Sequence, residues 1–138
     1  MTQENKQLLL ADLSAKLPYG VMLNIDYYDL QGDEKLKNRD VILSYGNIGY
    51  CSGNTNWVSV KPYLRPISSM TEEEKHELLR FGTVSLDKDS NTIDVCCVGF
   101  WNHAKVQDYL NSIHIDYRGL IPKGLAIEVT EENNPYKE

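Results

Sequence analysis

The stretch WVSVKPYLR, residues 57–65, places the strongest constraint on the fold. Its side chains alternate in the period-two pattern of a β-strand with one buried face. Because Pro62 has no backbone N–H for a ladder hydrogen bond, we expect the strand to lie at a sheet edge or to contain a bulge. The predicted buried face carries Val58, Val60, Pro62 and Leu64, and the opposite face carries Trp57, Ser59, Lys61, Tyr63 and Arg65.

The chain before this strand predicts one helix and two strands. Leucines three to four residues apart indicate a helix over residues 5–17, which Pro18 ends. Alternating side chains predict a strand over residues 21–28, and the polar residues 30–35 are typical of a loop. A second strand is expected to begin with residues 41–45.

The chain after it predicts two helices and three strands. Thr71 and Glu74 have the spacing of a capping box, so a helix is expected over residues 72–81. The other predicted elements are a hairpin of strands 83–87 and 92–98, a helix that begins near Asn102, and a final strand over residues 125–129.

This order of elements, α-β-β-β-α-β-β-α-β, favours the α+β class, because short turns rather than helices join several of the strands. We predict three helices and a mainly antiparallel, curved sheet of about five to six strands. Half closure of this sheet into a barrel is an alternative. One globular domain is expected over residues 1–130, followed by a frayed polar tail at residues 131–138.

Length and composition agree with a folded protein. The chain has 138 residues, of which 41% are hydrophobic, and is long enough to bury a core. No apolar run approaches the ~20 residues that span a bilayer, and the N-terminus lacks the basic start of a signal peptide. The three cysteines are odd in number and lack metal-type spacing. We therefore expect a soluble protein of the reducing cytoplasm.

The strongest candidate binding surface is the strand face that carries Trp57, Lys61, Tyr63 and Arg65. Aromatic rings interleaved with cations can stack bases and neutralise phosphates in single-stranded nucleic acid, or can contact a protein or a small ligand. The ordinary alternative is an amphipathic strand whose cations are solvated. The net charge, 14 basic minus 20 acidic residues or −6, disfavours nucleic acid.

Arg118 is the second candidate and lies in the turn DYRG, residues 116–119. Its guanidinium group can clamp a carboxylate or a phosphate. The alternative is a structural turn, in which Asp116 caps backbone N–H groups, Arg118 pairs with an acid, and Gly119 supplies a positive φ.

Catalytic and metal chemistry has less support in the sequence. The histidines and Asp116 do not have the spacing of a metal motif, and the cysteines lack the local signature of a thiol enzyme. We predict no catalytic residue, no cofactor and no metal, and keep a small enzyme as an alternative. It would use His103, His114 or one of the cysteines Cys51, Cys96 and Cys97. A metal or acid-base cluster would combine His103 and His114 with Asp116.

Three stretches resemble a family of small uncharacterised proteins from gut Bacteroides-type bacteria and their phages and mobile elements. They are LPYGV at residues 17–21, YLRPISSMTEEE at 63–74, and DYRGLIPKGLAI at 116–127. The resemblance covers most of the chain. It implies a phage or mobile-element context, and it implies no activity or site residues.

Together these patterns favour a non-enzymatic interaction module that binds a protein partner or a second copy of itself. Nine tyrosines against two phenylalanines agree with a partner surface, because tyrosine is enriched at interfaces. The first alternative is single-stranded nucleic-acid binding through the Trp57 face, and the second is the small enzyme. No membrane partner is expected.

Overall fold

The computed structural model describes residues 2–29, 35–52, 55–81, 83–87, 92–96 and 100–137. The described residues form three α-helices, six strands and three short 3-10 helices, and the predicted order of helices and strands is confirmed. The α-helices are α1 (Gln3–Lys16), α2 (Glu72–Leu79) and α3 (Phe100–Ser112). The strands are β1 (Met22–Tyr28), β2 (Leu36–Ile42), β3 (Trp57–Leu64), β4 (Thr83–Asp87), β5 (Thr92–Cys96) and β6 (Ile127–Glu128), and the 3-10 helices are Leu17–Tyr19, Ile48–Ser52 and Ile67–Ser69.

The α+β class is confirmed, but the predicted single sheet of five to six strands is wrong. The strands are divided between an open four-stranded sheet of order β2-β1-β3-β6 and a separate two-stranded sheet of β4 and β5. The larger sheet is also mixed, because the short β6 runs parallel to β3. The hairpin β4–β5 pairs with itself rather than extending the sheet, so the larger sheet does not close.

The predicted bulge in β3 is confirmed, and it reverses the expected side of two residues. Asp26 of β1 lies opposite Ser59, whereas its neighbour Tyr27 lies opposite Trp57, so Val58 is the extra residue of the bulge. Trp57 is therefore on the core side and only 8% exposed, while Val58 is 58% exposed. The sequence shows a regular alternation here because a bulge leaves no mark on the pattern of residue types.

Pro62 is accommodated by the pairing pattern with β1, and its nitrogen faces the other side of β3, where the described register with β6 covers only Tyr63 and Leu64. It lies opposite Leu23, and antiparallel pairs alternate between hydrogen-bonded and non-hydrogen-bonded. Leu43 N donates to Val21 O at 2.9 Å, so the odd-numbered residues of β1 direct their peptide groups towards β2. Leu23 and residue 62 therefore form a non-hydrogen-bonded pair. The proline at this position removes no hydrogen bond between β1 and β3.

The second strand begins earlier than predicted. β2 covers Leu36–Ile42, and Tyr45, expected inside this strand, is 80% exposed. The side of β2 that faces the core carries Lys37 and Arg39 before its first apolar residue, Val41. The Arg39 guanidinium lies 4.8 Å from the centre of the Tyr27 ring. A pattern of alternating apolar residues does not reveal a strand whose inward-facing side chains are cations that cover an aromatic ring.

The described residues form two hydrophobic cores. In the first, Leu9 and Leu13 of α1 pack against Leu23, Ile25 and Leu64, which confirms the predicted apolar stripe of the first helix. The second is formed by residues of α2, α3 and the segments beside them, namely Ile67, Met70, Leu78, Val106, Leu110, Ile115 and Tyr117. Among the described residues, no helix combines the length and the apolar content needed to cross a membrane.

Candidate functional site

The side of the sheet that faces away from the first core is exposed or half-buried. We call it the outer face, and its apolar ends carry Tyr28, Leu36 and Ile42, which are 43%, 53% and 55% exposed. It consists of Met22, Asn24, Asp26 and Tyr28 of β1, Leu36, Asn38, Asp40 and Ile42 of β2, and Ser59, Lys61 and Tyr63 of β3. Exposed apolar residues of this size on one face mark a surface that can bind a partner.

A hydrogen-bonded network occupies the centre of the outer face. Asn24 Nδ2 donates to Asn38 Oδ1 and to Asp40 Oδ1, both at 2.9 Å. Asn38 Nδ2 donates to Asn24 Oδ1 at 2.8 Å and to Asp26 Oδ1 at 2.7 Å. The Tyr63 hydroxyl donates to Asp40 Oδ1 at 2.9 Å, and burial and this carboxylate raise the pKa of Tyr63. The bonds join all three strands and hold the polar side chains in fixed positions.

β1 and β2 carry the same pattern on the outer face. MLNIDYY and LKNRDVI both read apolar, Asn, Asp, apolar at every second position. Because the strands are antiparallel, each asparagine lies opposite an aspartate and each apolar end lies opposite an apolar end. The pairs are Met22 with Ile42, Asn24 with Asp40, Asp26 with Asn38, and Tyr28 with Leu36. This repeat is the sequence signal by which β2 and the network could have been found.

The outer edge of β2 presents free backbone positions. Since the odd-numbered residues of β2 bond to β1, the peptide groups of Leu36, Asn38, Asp40 and Ile42 point away from the sheet. Of these groups, Ile42 O already accepts a hydrogen bond from Asn47 Nδ2 at 2.9 Å. β2 is the end strand of the sheet, and in the described parts of the chain no other strand pairs with that edge. An unpaired edge of this kind is a template for a further strand.

The predicted Trp57 surface is only partly assembled. Lys61 is exposed on the outer face, and Tyr63 lies there in the network described above. Trp57 is on the core side, where its ring centre is 5.1 Å from that of Tyr50. The four residues therefore do not form one surface, although binding by Lys61 and Tyr63 stays a prediction.

Arg65 joins the end of β3 to the start of α2. Its two terminal nitrogens donate to the two carboxylate oxygens of Glu74 at 2.8 and 2.7 Å, and one of them also donates to Ser69 O at 3.0 Å. Glu74 Oε1 also accepts from Thr71 N in the predicted capping box, which is confirmed. The Arg65 hydrogen bond, with those from Thr71, lowers the pKa of Glu74. Arg65 thus has a structural role in this chain.

Arg118 belongs to a buried ionic cluster, which we define as Asp12, Lys16 and Arg118. Asp12 Oδ1 accepts hydrogen bonds from Lys16 Nζ and, at 2.9 Å, from Arg118. Asp12 and Lys16 are fully buried, and burial lowers the pKa of Lys16 although Asp12 opposes the shift. Both cations also lie against the Tyr117 ring, at 4.8 and 4.6 Å from its centre. The expected pairing of Arg118 with an acid is confirmed.

The turn around Asp116 also forms as expected. Asp116 accepts from the backbone N–H groups of Leu120 at 2.9 Å and Ile121 at 2.8 Å, and Gly119 has a φ of 76°. His114, at a φ of 62°, stacks on Tyr136 with ring centres 4.0 Å apart. Burial, with Lys16 and Arg65 nearby, lowers the pKa of His114 to about 4.

Of the remaining candidates for chemistry, the structure describes only the side chain of Cys51. Cys51 is buried, and burial raises the pKa of its thiol to about 11, so it stays protonated at neutral pH. The side chains of His103, Cys96 and Cys97 lie outside the described part of the structure. In that part, no group of three histidine, cysteine, aspartate or glutamate side chains could hold a metal ion.

The C-terminal segment is anchored rather than frayed. The Tyr136 hydroxyl accepts from Met22 N at 2.9 Å and donates to Tyr63 O at 2.7 Å. Met22 and Tyr63 are the next residues in the register of β1 and β3, so the hydroxyl takes the place of one ladder bond. Residues 132–135 then border the outer face, where they form a shallow cavity of about 260 Å³ with Asp40 and Tyr63. Tyr136 therefore fixes one border of the outer face.

Comparison with protein-family models, with curated proteins and with solved structures finds no match for this chain. The outer face and the edge of β2 are therefore the basis for a functional proposal.

Proposed function

We propose that the protein is a non-enzymatic protein-binding module whose partner docks on the outer face and the adjoining edge of β2. The observation that carries the proposal is the layout of the outer face. A fixed network of asparagine and aspartate side chains lies between exposed apolar residues at both ends. Protein interfaces combine apolar contacts with oriented hydrogen-bonding groups in this way.

The charge of the outer face favours protein over nucleic acid. Two carboxylates, Asp26 and Asp40, stand beside one lysine, Lys61. Nucleic-acid affinity comes largely from neutralising phosphates, and this face repels them. Trp57 is also buried, so the aromatic ring expected to stack on bases is not on the surface. A phage or mobile-element setting, as the resemblance implies, remains part of the proposal.

The test is site-specific photo-crosslinking. Leu36, exposed on the outer face, is replaced by a photo-reactive phenylalanine analogue, and Ser14, exposed on α1, is replaced in a matched control. Both proteins are irradiated in purified form and in a lysate of the cells that naturally make the protein. We expect discrete adducts of defined mass from position 36 and none at the same mass from position 14.

Two results would count against the proposal. Equal adducts from both positions would indicate non-specific capture, and no adduct from position 36 in either setting would leave the outer face without a partner. Binding of a labelled single-stranded oligonucleotide that Lys61→Ala weakens and that falls steeply with salt would favour the nucleic-acid alternative.

A further inference from the structure

We infer that the partner is a second copy of this chain, which pairs its own β2 antiparallel to the free edge of β2. This inference rests on the proposed function and names the partner. The two copies would be related by a two-fold axis at Arg39, and their four-stranded sheets would become one continuous sheet.

The first support is the set of backbone groups on that edge. Leu36, Asn38, Asp40 and Ile42 direct their N–H and C=O groups outwards, as the ladder between β1 and β2 requires. In a register centred on Arg39, Leu36 lies opposite Ile42 of the second copy and Asn38 lies opposite its Asp40. These are hydrogen-bonded positions. Each Asn38–Asp40 pair exchanges two N–H···O bonds. In each Leu36–Ile42 pair, Ile42 N donates to Leu36 O, while Ile42 O keeps its hydrogen bond from Asn47 Nδ2. The whole described length of β2 is then paired.

The second support is the repeated side-chain pattern. β2 already pairs with β1 by placing Asn opposite Asp and apolar opposite apolar. Because β2 carries the same pattern as β1, a second β2 in the Arg39 register reproduces those pairs on the other edge. Asn38, whose two amide N–H groups already donate to Asn24 and Asp26, then lies beside Asp40 of the second copy, twice across the axis, and sets no like charge against it. The outer edge is thus self-complementary in backbone hydrogen bonding and in apolar contact.

The pattern also excludes the neighbouring registers. A shift by two residues in one direction puts Asp40 opposite Asp40 of the second copy, which sets like charges against each other. A shift in the other direction puts Leu36 opposite Asp40 of the second copy and loses the apolar pair. A shift by one residue puts the outer face of one copy and the inner face of the other on the same side of the joined sheet.

The cations of β2 do not block the edge. Lys37 donates to Asp29 at 2.9 Å, and Arg39 lies over the Tyr27 ring at 4.8 Å. Both side chains are on the side of the sheet away from the outer face. The two Arg39 side chains lie opposite each other at the axis and form a like-charge pair, which weakens the pairing. Each guanidinium group is held over the Tyr27 ring of its own copy.

The first experiment is sedimentation equilibrium of the full chain over a wide range of concentration. The monomer has a mass of 15.8 kDa, so a dimer has twice that mass. We expect the wild-type mass to rise towards the dimer value, and Ile42→Pro to stay at the monomer value. Proline at this position removes an outward N–H and leaves the ladder to β1 intact. Ile42→Thr, which keeps the N–H, is the matched control and should still dimerise.

The second experiment tests the register and does not depend on the proline variant. Arg39 and its copy form a non-hydrogen-bonded pair, in which Cα atoms are about 4.5 Å apart, a distance that suits a disulfide. Under mild oxidation, Arg39→Cys should give a covalent dimer whose linked peptide, identified by mass spectrometry, contains position 39. Lys37→Cys, on the same side of the same strand, should not link to itself because Val41 of the second copy lies opposite.

The outcomes separate the two proposals. A wild-type protein that stays monomeric at every concentration, or a dimer that Ile42→Pro does not weaken, would overturn the β2 inference. Photo-crosslinks from position 36 to a different protein would then still support the proposed function. A self-linked Lys37→Cys dimer, or no link from Arg39→Cys, would overturn the register.

Discussion

The outer face and the buried ionic cluster are two polar networks built from similar groups in opposite surroundings. Asp40 on the outer face is exposed, and its hydrogen bonds from Asn24 and Tyr63 form where water can also reach. Asp12 in the ionic cluster is fully buried, and its partners Lys16 and Arg118 are the cations of that cluster. A buried charge that loses its partner is left uncompensated, whereas an exposed one is solvated. We therefore expect the ionic cluster to contribute to the stability of the fold, and the outer face to be accessible to a partner.

The largest effect is expected inside the ionic cluster. Asp12→Asn leaves Lys16 and Arg118 without their carboxylate, and breaking a buried pair in this way costs about 3–5 kcal/mol. Chemical denaturation should show that loss in the free energy of unfolding. Asp26→Asn on the outer face is the matched control and should change the unfolding free energy by less than about 1 kcal/mol. Equal losses in the two variants would remove the distinction between the networks.

The next effect concerns the border of the outer face. Tyr136→Phe keeps the ring that stacks on His114 but removes the hydroxyl that bridges Met22 N and Tyr63 O. Two backbone groups then lose their partner, which should destabilise the fold by about 1–3 kcal/mol. Thermal or chemical unfolding measures the change, and hydrogen exchange should speed up at the Met22 amide. Unchanged exchange at that amide would contradict the bridging role.

A smaller effect is expected from His114 and depends on pH. Its pKa of about 4 in the folded protein lies below the ordinary histidine value of 6.5, so between these pH values the unfolded chain binds more protons. Stability is therefore fully present above about pH 6.5 and falls as pH drops towards 4, by on the order of 1–2 kcal/mol after allowing for solvent screening. His114→Asn tolerates the positive φ and should flatten unfolding free energies measured from pH 5 to 7. An equally steep slope in the variant would assign the pH dependence to other groups.

The contrast between the networks also shows what sequence can predict. The order of helices and strands, the Thr71 capping box and the Asp116 turn follow from local spacing, and all three form. Pro62 predicts a bulge only as one of two alternatives. The inward position of Trp57 does not follow from the sequence, because the extra residue Val58 changes the face of the residue before it. The start of β2 is not predicted, because Lys37 and Arg39 precede its first inward-facing apolar residue and Arg39 lies over the Tyr27 ring.

The site is less predictable than the fold for a related reason. The sequence shows that Arg65 and Arg118 can pair with an acid. Which acid each one pairs with, Glu74 or Asp12, depends on how the elements pack. Asp12 lies in a helix far along the chain from Arg118, and no local pattern links them. Lys61 and Tyr63 lie on the outer face, as the alternation predicts, because they follow the bulge.

The smallest effect on stability should accompany the largest effect on association. Leu36 and Ile42 are more than half exposed and lie at the ends of the outer face, so Leu36→Lys with Ile42→Lys should change the unfolding free energy of the dilute monomer by only about 0.5 kcal/mol. Within one copy the introduced lysines lie opposite Tyr28 and Met22, which are uncharged. In the β2 pairing they lie opposite each other twice, and like charges at such positions are unfavourable. Dimerisation should therefore be lost in sedimentation while the fold is kept, and a dimer that survives would exclude pairing through this edge.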